Sequence, residues 1–202
     1  MSFAGAYFEE LGRVSARLSL EDCNRAADSL LQTWQREGTV VTAGNGGSAS
    51  TSSHFASDLQ KLTIVKTLPR LRALSLNDNV PVMTAWSNDS SYADVFLEQA
   101  RNVLRSGDLV FCVSASGNSP NILRLSGYAR SFGVPTIGLI GYDGGKLKEL
   151  VDVSLIVPSG NMQIIEDVHL AICHMLASHV RSALQNFTAV GTLVADDEDF
   201  GR

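Results

Sequence analysis

Short apolar runs alternate with segments of helical period along most of this 202-residue chain. The clearest runs cover residues 39–43, 109–113 and 135–140, and weaker runs cover 73–76 and 154–157. Short, continuous apolar strands separated by helices are typical of a parallel sheet that is covered on both faces. The sequence therefore predicts an α/β domain with a doubly wound parallel sheet. In such a sheet, ligands bind beyond the carboxyl ends of the strands.

Helical patterns account for most of the remaining chain. They cover residues 48–61, 91–104, 120–131 and 162–184. Residues 2–37 are predicted to form two helices, with Ser19 as the N-cap of the second. Because no linker or internal repeat is evident, the sequence predicts one domain over residues 1–186 that includes these N-terminal helices. The acidic segment 187–202 is predicted to be a disordered tail.

Composition narrows the classes of function. The net charge of -5 argues against an extended nucleic-acid-binding surface. The three cysteines, Cys23, Cys112 and Cys173, are widely spaced and form no CxxC pair, which argues against a disulfide framework and against a zinc finger. No signal peptide and no run of about 18 apolar residues is evident, so the sequence predicts a cytoplasmic protein without a membrane span.

The loop after the first predicted strand is rich in glycine. Gly44, Gly46 and Gly47 surround Asn45 and precede Ser48, at the start of a predicted helix. Glycine lets the backbone approach a ligand closely, and the free N–H groups of a helix N-terminus favour a phosphate or the polar edge of a sugar. The spacing matches no nucleotide-binding motif, and a tight strand–helix turn explains the loop equally well.

A second loop of small polar residues follows the next clear strand. It contains Ser114, Ala115, Ser116 and Ser119, and Pro120 then opens a helix. Hydroxyl donors beside a helix N-terminus can hold a phosphate dianion without a cation. Ser119 could instead serve only as the N-cap of that helix. Two such loops at neighbouring strand ends predict a phosphate site more strongly than either loop alone.

Two pairs of histidine and carboxylate residues lie on separate predicted helices. His54 and Asp58 are four residues apart and therefore share a helix face. Glu166 and His174 are eight apart on the last helix, with His169 between them. The two pairs could together bind zinc or act as general acid and base. They could equally be surface pairs beside a core histidine, and the sequence does not show that the two helices meet.

At these residues the chain resembles the SIS-domain phosphosugar proteins, and among them the phosphoheptose isomerases. The matching positions run in order along the chain: 44–49, 54–56, 88–89, 114–119, 143–145, His169 and His174. The resemblance implies a flavodoxin-like three-layer fold and an aldose–ketose isomerase of heptose biosynthesis. The family reaction converts sedoheptulose 7-phosphate to D-glycero-D-manno-heptose 7-phosphate through an enediol.

The resemblance also implies roles for individual residues. It implies contacts with the substrate at Asn45, Gly46, Gly47, Ser48, Asn88, Asp89, Ser114, Ala115, Ser116 and Ser119. It implies a zinc site at His54, Asp58, Glu166 and His174, of which the last three would be catalytic. It further implies a homotetramer that binds a sugar phosphate in active sites at the subunit interfaces.

The chain departs from the isomerase pattern at two of these positions. The isomerases have a catalytic glutamate four residues after the histidine, where this chain has Asp58, and a glutamine ligand where it has Glu166. We hypothesise that carboxylates at both positions retain the chemistry on this or another sugar phosphate. The alternative functions are an isomerase of a different sugar phosphate and a non-catalytic tetramer that binds the bacterial replication initiator protein.

Overall fold

The computed structural model describes the backbone of residues 2–198 and the side chains of residues 2–187. Its strands are β1 (Thr39–Gly44), β2 (Arg72–Ser75), β3 (Leu109–Ser114), β4 (Thr136–Gly141) and β5 (Val153–Val157). Within the described residues these strands form one sheet in the order β2-β1-β3-β4-β5, and every neighbouring pair is parallel. The doubly wound parallel sheet predicted from the sequence is therefore confirmed.

Helices connect the strands and cover the sheet. They are α1 (Phe3–Ser15), α2 (Leu20–Gln35), α3 (Gly47–Lys61), α4 (Val80–Asp89), α5 (Val95–Val103), α6 (Pro120–Ser131), a short 3₁₀ helix (Leu147–Glu149) and α7 (Met162–Glu198). Ser19 is the N-cap of α2, as predicted, and its hydroxyl accepts a hydrogen bond from the N–H of Asp22 at 3.2 Å. Pro120 stands in the first turn of α6, where its missing N–H leaves no helical hydrogen bond unmade.

Each face of the sheet has its own apolar core. On one face, helices α1, α2, α3 and α7 pack over strand residues such as Val40 and Phe111. On the other face, α4, α5 and α6 pack over Val41 and Val110. Neighbouring residues of a strand thus point to opposite cores, as the pleat of a strand requires. The rings of Phe55 on α3 and Phe111 on β3 are 4.7 Å apart, and burying such a ring stabilises the fold by about 1.5–3 kcal/mol.

Helix α7 is longer than the sequence predicts. The prediction of a helix ending at Leu184 is wrong, because α7 continues to Glu198. No proline follows Leu184, so no residue in this part of the sequence interrupts the helical hydrogen bonds. The ring of Phe187, in the next turn, packs edge-on against Trp34 with the ring centroids 5.7 Å apart. Residues 187–198 of the predicted tail are therefore helical, and 199–202 lie outside the described residues. None of the helices in the described chain combines the length and apolar character needed to cross a membrane.

The strand order places both predicted ligand loops at one crevice. From β1 the chain moves outward to β2, whereas from β3 it moves in the opposite direction to β4 and β5. Such a switch point leaves a crevice between the two diverging connections at the carboxyl ends of the strands. Residues 44–48 follow β1 and residues 114–119 follow β3, so the two loops border this crevice.

Candidate active site

A cavity of about 160 Å³ lies at the carboxyl ends of β1 and β3. It is lined by Asn45, Ser48, Val113, Ser114, Ala115, Ser116, Ser119, Met162 and Glu166. The structure therefore brings together both predicted loops and the start of α7. Among these lining residues, Glu166 is the one ionisable side chain, and the rest offer hydroxyl, amide or apolar groups. The roles of these residues in binding and catalysis remain predictions.

The serine loop is shaped by its own hydrogen bonds. The Ser114 hydroxyl accepts a hydrogen bond from the N–H of Gly117 at 3.2 Å, and the Ser116 hydroxyl accepts one from the N–H of Asn118 at 3.2 Å. Ser119 is the N-cap residue of α6, yet its side chain makes no capping hydrogen bond and lies 3.4 Å from the Ser114 hydroxyl. Capping of α6 therefore does not account for the serine at position 119. Its hydroxyl can instead donate to an anion at the helix N-terminus.

Asn121 and Tyr92, which belong to none of the predicted ligand loops, hold the side chain of Asn45. Asn45 and Asn121 exchange a pair of amide hydrogen bonds, both 2.9 Å long, and the Tyr92 hydroxyl donates to Asn45 Oδ1 at 2.9 Å. Asn121 is buried at the start of α6. Its place just after Ser119 and Pro120 is a signal that could have identified it. No motif in the sequence marks Tyr92 in this way, because residues 91–104 have the pattern of an ordinary helix.

The Glu166 carboxylate lies against the backbone at the start of α3. A Cβ atom added to Gly47 would lie 2.4 Å from Glu166 Oε1 and 2.5 Å from Oε2. Gly47 is the first residue of α3, and the N-cap residue Gly46 has a φ of 55° and supplies no side-chain cap. A negative charge near a helix N-terminus is stabilised by about 0.3–1 kcal/mol. The absence of a side chain at position 47 therefore leaves the space that the Glu166 carboxylate fills.

Helices α3 and α7 pack together and bring His54, Asp58 and His174 into one group. The Nε2 atoms of the two histidines are 2.9 Å apart, and Asp58 Oδ2 lies 3.4 Å from that of His54 and 3.7 Å from that of His174. Asp58 Oδ2 is buried and has no hydrogen-bond partner among the described residues. Two imidazole nitrogens and an orphaned carboxylate oxygen that converge in this way fit a divalent metal such as zinc. We call these three side chains the triad.

Other predicted site residues lie outside the triad. Glu166, the fourth predicted metal ligand, precedes His174 on α7 by about 12 Å of helix rise and lines the cavity instead. Asn88 and Asp89 are exposed at the end of α4, where Asn88 donates to Asp89 at 2.9 Å, and neither lines the cavity. Gly46 borders a neighbouring cavity of about 380 Å³. The assignment of these residues to substrate or metal stays a prediction.

His169 is a core residue of α7. It is fully buried, and neither ring nitrogen has a hydrogen-bond partner within the described chain. Burial disfavours the charged imidazolium and lowers the pKa of His169 to about 4. The ring is therefore neutral at physiological pH, and it separates the cavity residue Glu166 from the triad residue His174 along the helix.

Comparisons with known proteins agree with this geometry. Residues 6–141 match the model of the SIS domain family. The chain is 38% identical over 159 residues to the phosphoheptose isomerase of Helicobacter pylori strain Shi470, covering 78% of this chain and 81% of that one. It is 37% identical over 175 residues to the lincomycin biosynthesis protein LmbN of Streptomyces lincolnensis, covering 82% of this chain and spanning only 64% of that protein.

Comparison with solved structures also finds similarity to a phosphoheptose isomerase. The structure of the phosphoheptose isomerase GmhA from Neisseria gonorrhoeae superposes with a TM-score of 0.82 at 30% identity, covering 89% of this chain and 97% of that one. A fold and a cavity of this kind, together with the match over residues 6–141, define a phosphosugar protein. The chain belongs to the SIS domain family and, within that family, to the phosphoheptose isomerases.

Proposed function

We propose that this chain is an aldose–ketose isomerase that converts sedoheptulose 7-phosphate to D-glycero-D-manno-heptose 7-phosphate. The observation that carries the proposal is one cavity that joins a serine loop at a helix N-terminus, a glycine loop and a carboxylate. The relatives named phosphoheptose isomerase support the substrate class, because this chain covers about four-fifths of their length.

The serine loop is the proposed phosphate site. The hydroxyls of Ser114, Ser116 and Ser119 lie at the cavity wall, beside the uncapped start of α6. Hydroxyl and backbone N–H donors at a helix N-terminus can hold a phosphate dianion without a cation, and the cavity lining of the described chain contains no lysine or arginine. The sugar chain would extend from this loop past Asn45, whose amide is fixed by Asn121.

Interconversion of a ketose and an aldose requires proton transfer between C1 and C2. The side chains proposed for this work are Asp58, Glu166 and His174, since carboxylates and imidazoles are the usual general acids and bases. Zinc would be held by His54, Asp58 and His174. Glu166, the fourth ligand that the resemblance implies, lies about 12 Å of helix rise from His174 and lines the cavity, so it would not complete this set. When bound, such an ion supplies Lewis-acid polarisation of the substrate carbonyl.

Assembly and location form part of the same proposal. We propose a homotetramer with active sites at subunit interfaces, because large apolar side chains of the N-terminal helices are exposed: Phe3 by 87%, Phe8 by 68% and Leu20 by 76%. The side chains of His54 and His174 are also about half exposed, so a second subunit could close over the triad.

Three free, buried cysteines support a reducing, cytoplasmic location.

An isomerase of another sugar phosphate is the second candidate function. The observation that favours it is the Glu166 carboxylate in the cavity, because an acceptor-only group selects the hydroxyl pattern of the sugar that it contacts. A non-catalytic tetramer that binds the replication initiator is less well supported, since Asp58, Glu166 and His174 all carry groups capable of acid–base chemistry.

A panel of ketose phosphates with five, six and seven carbons tests the proposal. The purified full chain should give the highest kcat/KM with sedoheptulose 7-phosphate. The Ser114→Ala/Ser119→Ala double variant should show a higher KM for every member of the panel, because each member carries the phosphate that these serines would hold. Preference for another member of the panel would favour the second candidate. Absence of an aldose product from every member, in protein that is folded by circular dichroism, would overturn the isomerase function.

A further inference from the structure

The side chain of Asn121 satisfies a backbone donor at the start of α6. Its Oδ1 atom accepts a hydrogen bond from the N–H of Ile122 at 3.0 Å, and this N–H is one of the first helical donors, which have no carbonyl partner within a helix. The N-cap residue Ser119 supplies no side-chain bond of this kind. Because a backbone N–H can only donate, the atom of Asn121 that faces it is the oxygen, and the orientation of this buried amide is fixed.

Asn121 in turn determines the orientation of the Asn45 amide. The nitrogen of Asn121 donates to Asn45 Oδ1, and the nitrogen of Asn45 donates to Asn121 Oδ1, both at 2.9 Å. Turning the Asn45 amide over would set oxygen against oxygen and nitrogen against nitrogen, so only the observed orientation forms both bonds. The Tyr92 hydroxyl lies 2.9 Å from Asn45 Oδ1 and therefore acts as the donor to that oxygen.

Within the described chain, these bonds leave the Asn45 amide with one unused group. An amide oxygen has two lone pairs, and those of Asn45 Oδ1 are taken by Asn121 and Tyr92. Of the two N–H groups on Asn45 Nδ2, one donates to Asn121. Asn45 lines the cavity of the serine loop, so the group that its amide can offer to a ligand there is an N–H donor.

The segment that carries Tyr92 is attached to α6 by an ion pair. The Asp94 carboxylate accepts hydrogen bonds from the hydroxyls of Ser91 at 2.6 Å and Ser90 at 2.8 Å, and it pairs with Arg124 of α6. The bonds from Ser91, Ser90 and Arg124 lower the pKa of Asp94 to about 2, so the carboxylate is charged at neutral pH. Because Tyr92 is 51% exposed, burial of its ring does not hold it beside Asn45, and the ion pair attaches its segment to the helix that carries Asn121.

We infer that Tyr92 and Asn121 are positioning residues that restrict Asn45 to donating a hydrogen bond to the substrate. This inference rests on the proposed function and deepens it, since it specifies the chemistry that the sugar phosphate presents. The substrate group beside Asn45 has to be an oxygen with a free lone pair, such as a hydroxyl, carbonyl or phosphate oxygen. A donor-only group at that place, such as the ammonium of an amino sugar, would face an N–H without an acceptor and would be rejected.

A double-mutant cycle tests whether Tyr92 acts through Asn45. Tyr92→Phe removes the hydroxyl and keeps the ring, and kcat/KM for sedoheptulose 7-phosphate should fall by about three- to tenfold, the size of one hydrogen bond, mainly through KM. In the Asn45→Ala background the same substitution should change kcat/KM by less than about twofold, because the amide that the hydroxyl orients is gone. Tyr128→Phe is the matched control, since Tyr128 lines neither of the two cavities beside Asn45, and it should match the wild type.

Two further measurements separate positioning from a structural role. If Tyr92→Phe only loosened the fold, the Kd for inorganic phosphate would rise together with KM. Measured by calorimetry, this Kd should stay within about twofold of wild type. Neutron diffraction of the wild-type protein in D₂O, which needs no substrate, should show the Tyr92 deuteron directed at Asn45 Oδ1 and an Asn45 Nδ2 deuteron directed at Asn121 Oδ1.

Contrary results are equally distinct. An equal loss of kcat/KM from Tyr92→Phe in the wild-type and Asn45→Ala backgrounds would overturn the inference, and so would a neutron map in which Tyr92 accepts from Asn45. A phosphate Kd that rises as much as KM would overturn it too, because Tyr92 would then be a structural residue. Wild-type protein that shows the expected deuterons yet converts no ketose phosphate of the panel would overturn the proposed function, whereas the fixed orientation of Asn45 would stand.

Discussion

Replacing Gly47 by alanine should displace Glu166 without removing it. The added Cβ atom would lie 2.4 Å from Glu166 Oε1, whereas ordinary van der Waals contacts begin at 3.4 Å. The carboxylate must therefore retreat by about 1 Å, and the flexible glutamate side chain permits this. Because a misplacement of about 1 Å can cost about a hundredfold in rate, kcat of the Gly47→Ala variant should fall by that order.

The assay is the initial rate of aldose formation from sedoheptulose 7-phosphate, analysed for kcat and KM separately. Gly127→Ala on α6 is the matched control, because a Cβ atom at Gly127 meets no atom within 4 Å. The Gly127→Ala control should keep or raise Tm, since glycine within a helix is less stable than alanine by roughly 0.5–1 kcal/mol. A Gly47→Ala enzyme with the kcat of the Gly127→Ala control would show that the position of the Glu166 carboxylate does not limit turnover.

Further predictions concern the phosphate loop, the triad and the buried histidine. Ser119→Ala should raise the Kd for inorganic phosphate by about tenfold in calorimetry; an unchanged Kd would remove Ser119 from the phosphate site. His54→Gln and His174→Gln should each weaken zinc binding in a chelator competition by about tenfold or more, and wild-type affinity in both would contradict the triad as a metal site. Burial lowers the pKa of His169 to about 4 from 6.5, so the unfolded chain binds the proton more readily. The free energy of unfolding should therefore fall by up to about 3 kcal/mol as the pH drops from about 6.5 to 4. His169→Leu should flatten this dependence in urea titrations, and an unaltered pH profile would mean that other groups cause it.

The sheet and its two ligand loops could be predicted because local signals specify them. The β-branched run that ends at Gly44 marks β1, and Ser119 followed by Pro120 marks the start of α6. Parallel strands place their carboxyl ends at one edge, so the convergence of the loops follows from the strand order. These features depend on residues that are close in sequence or on general rules of topology.

The triad could not be predicted in the same way, because it depends on which helices pack together. His54 and His174 are 120 residues apart, and their Nε2 atoms approach to 2.9 Å only because α3 packs on α7. Helical periodicity indicates which residues share a face but not which helix that face meets. The hydrogen bond from Tyr92 to Asn45 and the contact of Phe187 with Trp34 are tertiary contacts of the same kind.

Glu166 differs from the isomerase pattern, and the sequence and the structure each supply part of the evidence about its role. The sequence places a carboxylate at a position where the isomerases have glutamine, but it does not say which group faces the substrate. The structure shows Glu166 in the cavity and Asp58 enclosed in the triad. The two carboxylates that replace the family's glutamate and glutamine therefore lie in different places, and turnover of the Glu166→Gln and Asp58→Asn variants would show which of them the reaction needs.

A ¹H NMR time course of the purified chain with sedoheptulose 7-phosphate, with and without added zinc, tests the proposed activity most directly. If the chain is a phosphoheptose isomerase, the anomeric proton signals of D-glycero-D-manno-heptose 7-phosphate will appear at a rate proportional to the protein concentration. The Ser114→Ala/Ser119→Ala double variant will form the product more slowly at low substrate concentration. No aldose signal under either condition, from wild-type protein that still binds inorganic phosphate, would contradict the assignment of this chain as a phosphoheptose isomerase.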